Sequence, residues 1–291
     1  MFDRIEKGLY WDRALTLVSG CTPCSPGCDH CRSAALTHRF QRQSEHETFL
    51  TGTAPLTDSL QRFTGRIIIH PERLDIPLRR KKPTVWAIWN DLFHEDVSEE
   101  PFIREAFWNM GQAGWHIFLL FTKRAKRMAE WAQGKLWPEN VWPGVTVCNQ
   151  PEADEKIPLL LQIPAAVHFI SYEPALGEIL IKWWLDGNHE SGRKPGWLIC
   201  GGETGPGARP MRPEWAISVR DQCRASGVPF FFKQWGEWIP CSYLPGLKKP
   251  GIIMSIDGTP EGQVCRIGKK ATGRLLDGLE YNELPEVKRC P

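Results

Sequence analysis

Ile117-Phe118-Leu119-Leu120-Phe121-Thr122-Lys123-Arg124 is the stretch on which the fold turns. Five apolar residues in succession leave no polar face, so a strand built from them is covered on both sides. Strands covered in that way belong to a parallel sheet flanked by helices. Pro229-Phe230-Phe231-Phe232 reads the same way. Shorter β-rich runs recur at Ala14–Val18, Arg66–Ile69, Thr84–Trp89, Val141–Val147, Ala166–Ile170 and Gly196–Cys200, while the first run extends back to give His116–Phe121.

Amphipathic segments lie between these runs. Pro101–Ala113 places Phe102, Ile103, Ala106, Phe107 and Met110 at helical spacing, with Gly111 and Gly114 at its end. Ala125–Gln133, Glu152–Gln162 and Pro213–Ser226 follow later strands, and the last opens on Pro and stops at Gly227. Ser33–Ser59 supplies the helix before the second strand. The alternation predicts an α/β fold of the (β/α)8 TIM-barrel type, closed or partly open, over residues 1–236. Residues 237–291 carry Pro240, Pro245, Pro250 and Pro260 among glycines and no such alternation. They are expected to form an irregular C-terminal extension packed on the barrel.

The chain has 291 residues, 42% hydrophobic and 24% charged, with a net charge of +2. That balance gives no argument for a protein that coats nucleic acid or a membrane surface. The basic run Arg79-Arg80-Lys81-Lys82 reads as a solvated loop. No apolar stretch reaches the ~20 residues of a membrane span, and the charged N-terminus lacks a signal-peptide core. A cytoplasmic protein is therefore expected. In that compartment Cys148, Cys200, Cys223, Cys241, Cys265 and Cys290 should be buried or free thiols. Most of the 14 Trp should serve as core. Trp86, Trp89 and Trp235 could alternatively stack on an adenine or a substrate base.

Parallel barrels gather their reactive groups at the C-terminal strand ends. The tips here read His70-Pro71-Glu72-Arg73, Asn90-Asp91, Thr122-Lys123-Arg124, Thr146 to Asn149, Ser171-Tyr172-Glu173-Pro174, Gly201-Gly202-Glu203-Thr204-Gly205 and Lys233-Gln234-Trp235. Acids, amides and cations directly after apolar runs imply one polar mouth. His94-Glu95-Asp96 reads as the start of the helix after strand three. The glycine-rich segment from Gly201 lacks the Gly-Lys-Ser/Thr of a phosphate loop, and it has room for close approach of a cofactor, with Glu203 and Arg209 as polar contacts.

After the first strand comes Cys21-Thr22-Pro23-Cys24-Ser25-Pro26-Gly27-Cys28-Asp29-His30-Cys31. Four thiolates could close a tetrahedral zinc site. The three residues between the two C-x-x-C pairs are few for zinc knuckles, and a tight run with Pro and Gly is more ferredoxin-like. Cys24, Cys28 and Cys31 have the spacing C-x3-C-x2-C. Three cysteines on a four-iron cluster leave one iron open, which is what S-adenosylmethionine (SAM) needs to bind and be cleaved to a 5′-deoxyadenosyl radical.

Long segments of the chain together resemble a phage and prophage protein family of unknown function, named after bacteriophage genes thirty-seven and sixty-eight. They include the cysteine loop, Asn90 to Val97, Phe121 to Arg124, Val141 to Val147, Ser171 to Pro174, Gly201 to Met211, Phe231 to Gly236 and Lys269 to Gly278. That family is regarded as a divergent branch of the radical SAM barrels. The family's cysteines match Cys21, Cys28 and Cys31, so either Cys21 or Cys24 is the first ligand. The superfamily's Gly-Gly-Glu element follows an early strand, whereas Gly201-Gly202-Glu203 follows the seventh.

The resemblance implies a radical SAM enzyme with a 4Fe-4S cluster, SAM, an external electron donor and no membrane. Its phage setting points to nucleic acid as a partner, with a base as the modified group. Cys21, Cys24, Cys28 and Cys31 are the candidate metal ligands. Asn90, Asp91, Ser171, Gly201, Gly202 and Glu203 are candidate cofactor contacts, and Lys123 and Glu173 candidate catalytic groups. Two other readings compete: a non-catalytic zinc- or iron–sulfur-binding phage accessory protein, and a barrel hydrolase with only a structural zinc.

Overall fold

A computed structural model describes residues 2–43, 55–244, 252–256, 258 and 262–286. The strands are β1 (Arg13–Leu15), β2 (Val18–Ser19), β3 (Ile68–Ile69), β4 (Val85–Ile88), β5 (Ile117–Thr122), β6 (Val141–Thr146), β7 (Phe169–Tyr172), β8 (Trp197–Gly201), β9 (Phe230–Gln234), β10 (Trp238–Pro240), β11 (Ile252–Ser255) and β12 (Gln263–Arg266). Seven of them form one parallel sheet in the order β1-β4-β5-β6-β7-β8-β9. Tyr10, just before β1, meets Phe231 of β9 with ring centroids 5.5 Å apart. The two ends of the strand order thus face each other, and the sheet curls into a half-barrel.

The expected eight-strand count differs at one place. Of Arg66–Ile69, only Ile68 and Ile69 are strand, and they pair antiparallel with Val18 and Ser19. Among the described residues β1 pairs with β4 alone. The last edge is covered: Phe231 bridges to Asn282, and Phe232 N donates to the Tyr281 carbonyl at 3.0 Å.

The double coverage read from Ile117–Phe121 has a period of two. Phe118 and Leu120 join Trp86, Ile88, Ile170, Leu198, Phe230 and Phe232 in the large core under the helices. Ile117 and Leu119 join Val85, Trp142, Phe169, Trp197 and Phe231 in a second core on the concave face. Gly144 of β6 makes room there, because a Cβ would stand 2.1 Å from the Phe169 ring.

The helices Arg104–Gln112, Ala125–Ala132, Gln150–Gln162 and Pro213–Ala225 fall close to their expected places. Asn149 caps the third, accepting from Glu152 N at 3.1 Å. Arg32–Gln43 is helical, and the rest of the span expected before the second strand includes 44–54, outside the described residues.

Two expectations are corrected in the C-terminal region. It is not wholly irregular, since β10, β12 and β11 form an antiparallel sheet. Cys241 and Cys265 are disulfide-bonded rather than free. The pairing of Ile239 with Cys265 brings Cys241, just past β10, to a Cα–Cα distance of 5.3 Å. Cys148, Cys200 and Cys223 are buried free thiols as expected, and Cys290 lies outside the described residues. The basic run is tied down locally: Arg79 pairs with Asp75, Lys82 with Asp3, and Arg80 Nε donates to Thr84.

Candidate active site

On the concave face the side chains change character along each strand. Phe169 is followed two residues on by Ser171 and then Glu173, and Phe231 by Lys233. The even step from Ile117 and Leu119 through Phe121 ends at Lys123. These tips open into a cavity of about 520 Å³, which also takes in Cys21, Cys24, Cys28 and Cys31. Asn90, Asp91, Ser171, Gly202, Glu203, Lys123 and Glu173 line it as well. Of the candidate residues only Gly201 does not. It lies behind Glu173, whose Oε1 would be 2.9 Å from a Cβ at that position.

The cysteine loop is clamped onto the strand tips from three sides. At β5, Arg124 is buried and donates to the Thr22 carbonyl at 3.2 Å and to Cys21 Sγ at 3.6 Å. The same guanidinium pairs with Asp91 at 3.1 Å and Glu95 at 2.7 Å. Burial opposes its charge, but these acids hold it firmly protonated. After β4, the buried His94 bonds Thr22 Oγ1 at 2.9 Å through Nε2 and accepts Asp96 N on Nδ1. His94-Glu95-Asp96 is therefore a turn that holds the loop, and the expected helix begins later, at Arg104.

After β8, Arg209 donates to both Glu203 oxygens, at 2.6 and 2.9 Å, and reaches the Pro26 carbonyl at 2.8 Å and Asp29 at 3.1 Å. Gly27 is pressed against Cys148, where a Cβ would meet Sγ at 2.5 Å, and Gly207 against the His30 ring. The contact at Gly27 needs glycine because Cys148 is buried and cannot give way, whereas the exposed His30 ring can turn aside from Gly207.

Three candidate contacts thus serve the frame of the site. Asp91 spends its oxygens on Thr122 Oγ1, Phe93 N, Lys123 N and Arg124. Asn90, in the left-handed region at φ 66°, accepts from Ser33 and donates to the Val18 carbonyl at 2.8 Å. Glu203 likewise faces Arg209. Glu173 does stand in the cavity: it accepts from Tyr10 at 2.7 Å and pairs with Lys233 at 2.8 Å. Burial and that carboxylate push the Tyr10 phenol up, so it remains a donor.

Lys123 is half-buried among thiols. Burial opposes its charge, but Cys28, Cys148, Cys31 and Cys24 favour the ammonium and raise it above the usual lysine range. The neighbouring Cys24 thiol holds Cys28 down at about 5. Cys21 is pushed up to about 11 by burial and by Asp91, and burial takes Cys148 to about 12. Cys148, Lys233 and Tyr10 were absent from the sequence-derived candidates, while Arg209, expected beside Glu203 as a cofactor contact, spends its donors on Glu203, Pro26 and Asp29. Lys233 was detectable, lying two residues after Phe231 on the same strand face.

Trp86 and Trp235 are core residues, while Trp89 is half-buried at the cavity wall. Among the described residues, no three His, Cys, Asp or Glu side chains stand ready around a metal ion. The donor set itself suits one: four free thiols on one short loop, with the Lys123 ammonium beside them.

The chain belongs to DUF5131. The model of this family of proteins of unknown function matches residues 7–285, so the half-barrel and the loops that build the cavity fall within the family's extent. No curated protein and no solved structure matches the chain. No helix among the described residues is long and apolar enough to cross a membrane.

Proposed function

We propose that this protein is a radical SAM enzyme of a divergent, phage-associated branch, with a half-barrel in place of a closed (β/α)8 barrel. The observation that carries the reading is the position of the cysteine loop. Four thiols open into a 520 Å³ cavity at the C-terminal tips of a parallel sheet, facing Lys123, Ser171, Glu173 and Lys233. Cys24, Cys28 and Cys31 would hold a 4Fe-4S cluster. Cys24 is the main influence on the Cys28 thiol, whereas Cys21 is engaged by Arg124. When bound, the cluster would supply the electron that cleaves SAM and begins radical chemistry.

The chain's own groups have separable tasks. Arg124, His94 and Arg209 fix the loop so that its thiols remain at the rim. Lys123 places positive charge beside the thiols and offsets their negative charge as they lose protons. Glu173, oriented by Tyr10, Ser171 and Lys233, presents a carboxylate at the cavity floor to a donor group on SAM or substrate. The aromatic residues below exclude water from that floor.

Anaerobic reconstitution with iron and sulfide tests the ligand set. Cys28→Ala and Cys31→Ala are expected to abolish cluster absorption, as is Cys24→Ala, while Cys21→Ala retains it. Loss of the cluster in all four variants would indicate a closed four-cysteine site and argue against SAM chemistry. Stoichiometric zinc without iron uptake would favour the non-catalytic reading.

A further inference from the structure

One residue of the cavity that holds the cysteine loop comes from outside the half-barrel. Lys269 lines this cavity, and it belongs to the short helical turn Lys269–Thr272 that follows β12. The turn is stitched to the chain just past β9. Ile267 N and Gly268 N both donate to the Glu237 carbonyl, at 3.2 and 3.1 Å. The buried Thr272 hydroxyl donates to the Gly236 carbonyl at 2.8 Å, and the indole of the buried Trp235 to the Leu275 carbonyl at 2.7 Å. These bonds hold Lys269 at the rim, although it is remote in sequence from every strand of the parallel sheet.

The carboxylates that line the cavity already have cations. Asp91 pairs with Arg124 at 3.1 Å, Glu173 with Lys233 at 2.8 Å and Glu203 with Arg209 at 2.6 Å. Lys123 faces the thiols. Lys269 is half-buried and, among the described residues, has no carboxylate within ion-pair distance. Burial, then Arg32 and Lys233, hold its ammonium below the usual lysine range, against weaker support from Glu173 and Glu237. Arg32 lines the same cavity. An ammonium kept half-buried among other cations is a receptor for an anion, and a few such groups fix how a ligand sits in a pocket. We propose that Lys269, with Arg32 beside it, takes a phosphate group of the substrate and sets the specificity of the cavity. The assignment to substrate rests on the reading of this cavity as the site of reaction. Two cations favour a phosphate monoester, which brings a charge of roughly −1.5 to −2, over a singly charged carboxylate. A free phosphorylated small molecule and the phosphorylated end of a nucleic-acid strand both supply that group.

Isothermal titration calorimetry with glycerol 3-phosphate, on the protein before and after iron reconstitution, tests the site. Binding is expected, and glycerol itself should not bind. Lys269→Gln should weaken glycerol 3-phosphate by at least about tenfold, because a charge-assisted hydrogen bond is lost. Lys269→Arg keeps the charge and should restore most of the affinity. Lys270→Gln removes the same charge one residue on, at an exposed side chain outside the cavity, and should leave affinity within about twofold. A 5′-phosphorylated trinucleotide then competes with glycerol 3-phosphate. Tighter binding of the trinucleotide, lost in Lys269→Gln, identifies a strand end as the source; tighter binding of glycerol 3-phosphate identifies a small molecule.

Absence of binding by both phosphate compounds, or equal weakening in Lys269→Gln and Lys270→Gln, would overturn the proposal. So would displacement of glycerol 3-phosphate by SAM, which would give Lys269 to the SAM carboxylate. If iron loads and neither phosphate compound binds, this inference falls and the cluster reading stands. If binding depends on Lys269 and iron never loads, the cluster reading falls and the phosphate site stands.

Discussion

The two ends of the half-barrel's concave face are built from the same strands and have opposite contents. At the N-terminal end Phe169, Trp197, Phe231 and Tyr10 interlock with ring centroids 5.5 to 6.3 Å apart. At the C-terminal end the same strand faces carry Lys123, Ser171, Glu173 and Lys233. Two residues along a strand, about 7 Å, separate a dry aromatic plug from a polar cavity. The plug supplies stability, and the rim holds polar groups that the plug helps to keep from water. Changes at the plug should therefore alter stability without altering ligand chemistry, and changes at the rim the reverse.

The largest expected effect tests the plug. Trp197→Ala should cost about 3–5 kcal/mol of unfolding free energy, read by denaturant titration. Iron uptake per folded molecule should be unchanged. Lost uptake in a still-folded variant would break the division between the two ends.

Acid should act next, and most strongly away from the rim. Burial holds His168 down at about 4, with its ring bonded to the Ile163 carbonyl at 2.7 Å. The unfolded chain takes up this proton near pH ~6.5 and the folded protein does not, so stability is full above that pH. It should fall by up to roughly 3 kcal/mol as pH drops from about 6.5 to about 4. His168→Gln should remove this contribution in thermal melts at graded pH and leave those of His94 and His116, which burial also holds down.

The smallest expected stability change belongs to the rim. Arg209→Gln should cost about 1–3 kcal/mol, because Glu203 loses charged hydrogen bonds. Its main consequence should be slower and less complete iron loading, since Pro26 and Asp29 lose their clamp. A variant that loads iron as the unaltered protein does would show that Arg209 does not position the loop.

Much of this division was legible in the sequence. The continuous apolar run Ile117–Phe121 announced a doubly covered strand, and Lys123 at its tip was a fair candidate. Seven of eight strand readings hold their place in the parallel sheet. Arg66–Ile69 failed because a four-residue run carries no signal of partner or direction, and β2 captured it in an antiparallel pair. The roles of Asp91 and Glu203 were not legible. A carboxylate after a strand looks the same in sequence whether it faces a ligand or an arginine from another loop. The Cys241–Cys265 disulfide was missed for a related reason, since only the register of β10 on β12 brings the two together.

The central claim is that the loop from Cys21 to Cys31 holds a cluster at the rim with one iron left open to SAM. The most direct test is anaerobic reconstitution followed by assay of 5′-deoxyadenosine release from SAM under reductant. The account predicts four irons per chain and release of 5′-deoxyadenosine, both lost in Cys28→Ala. A cluster that forms fully yet never cleaves SAM, or a site that takes zinc and no iron, would contradict it.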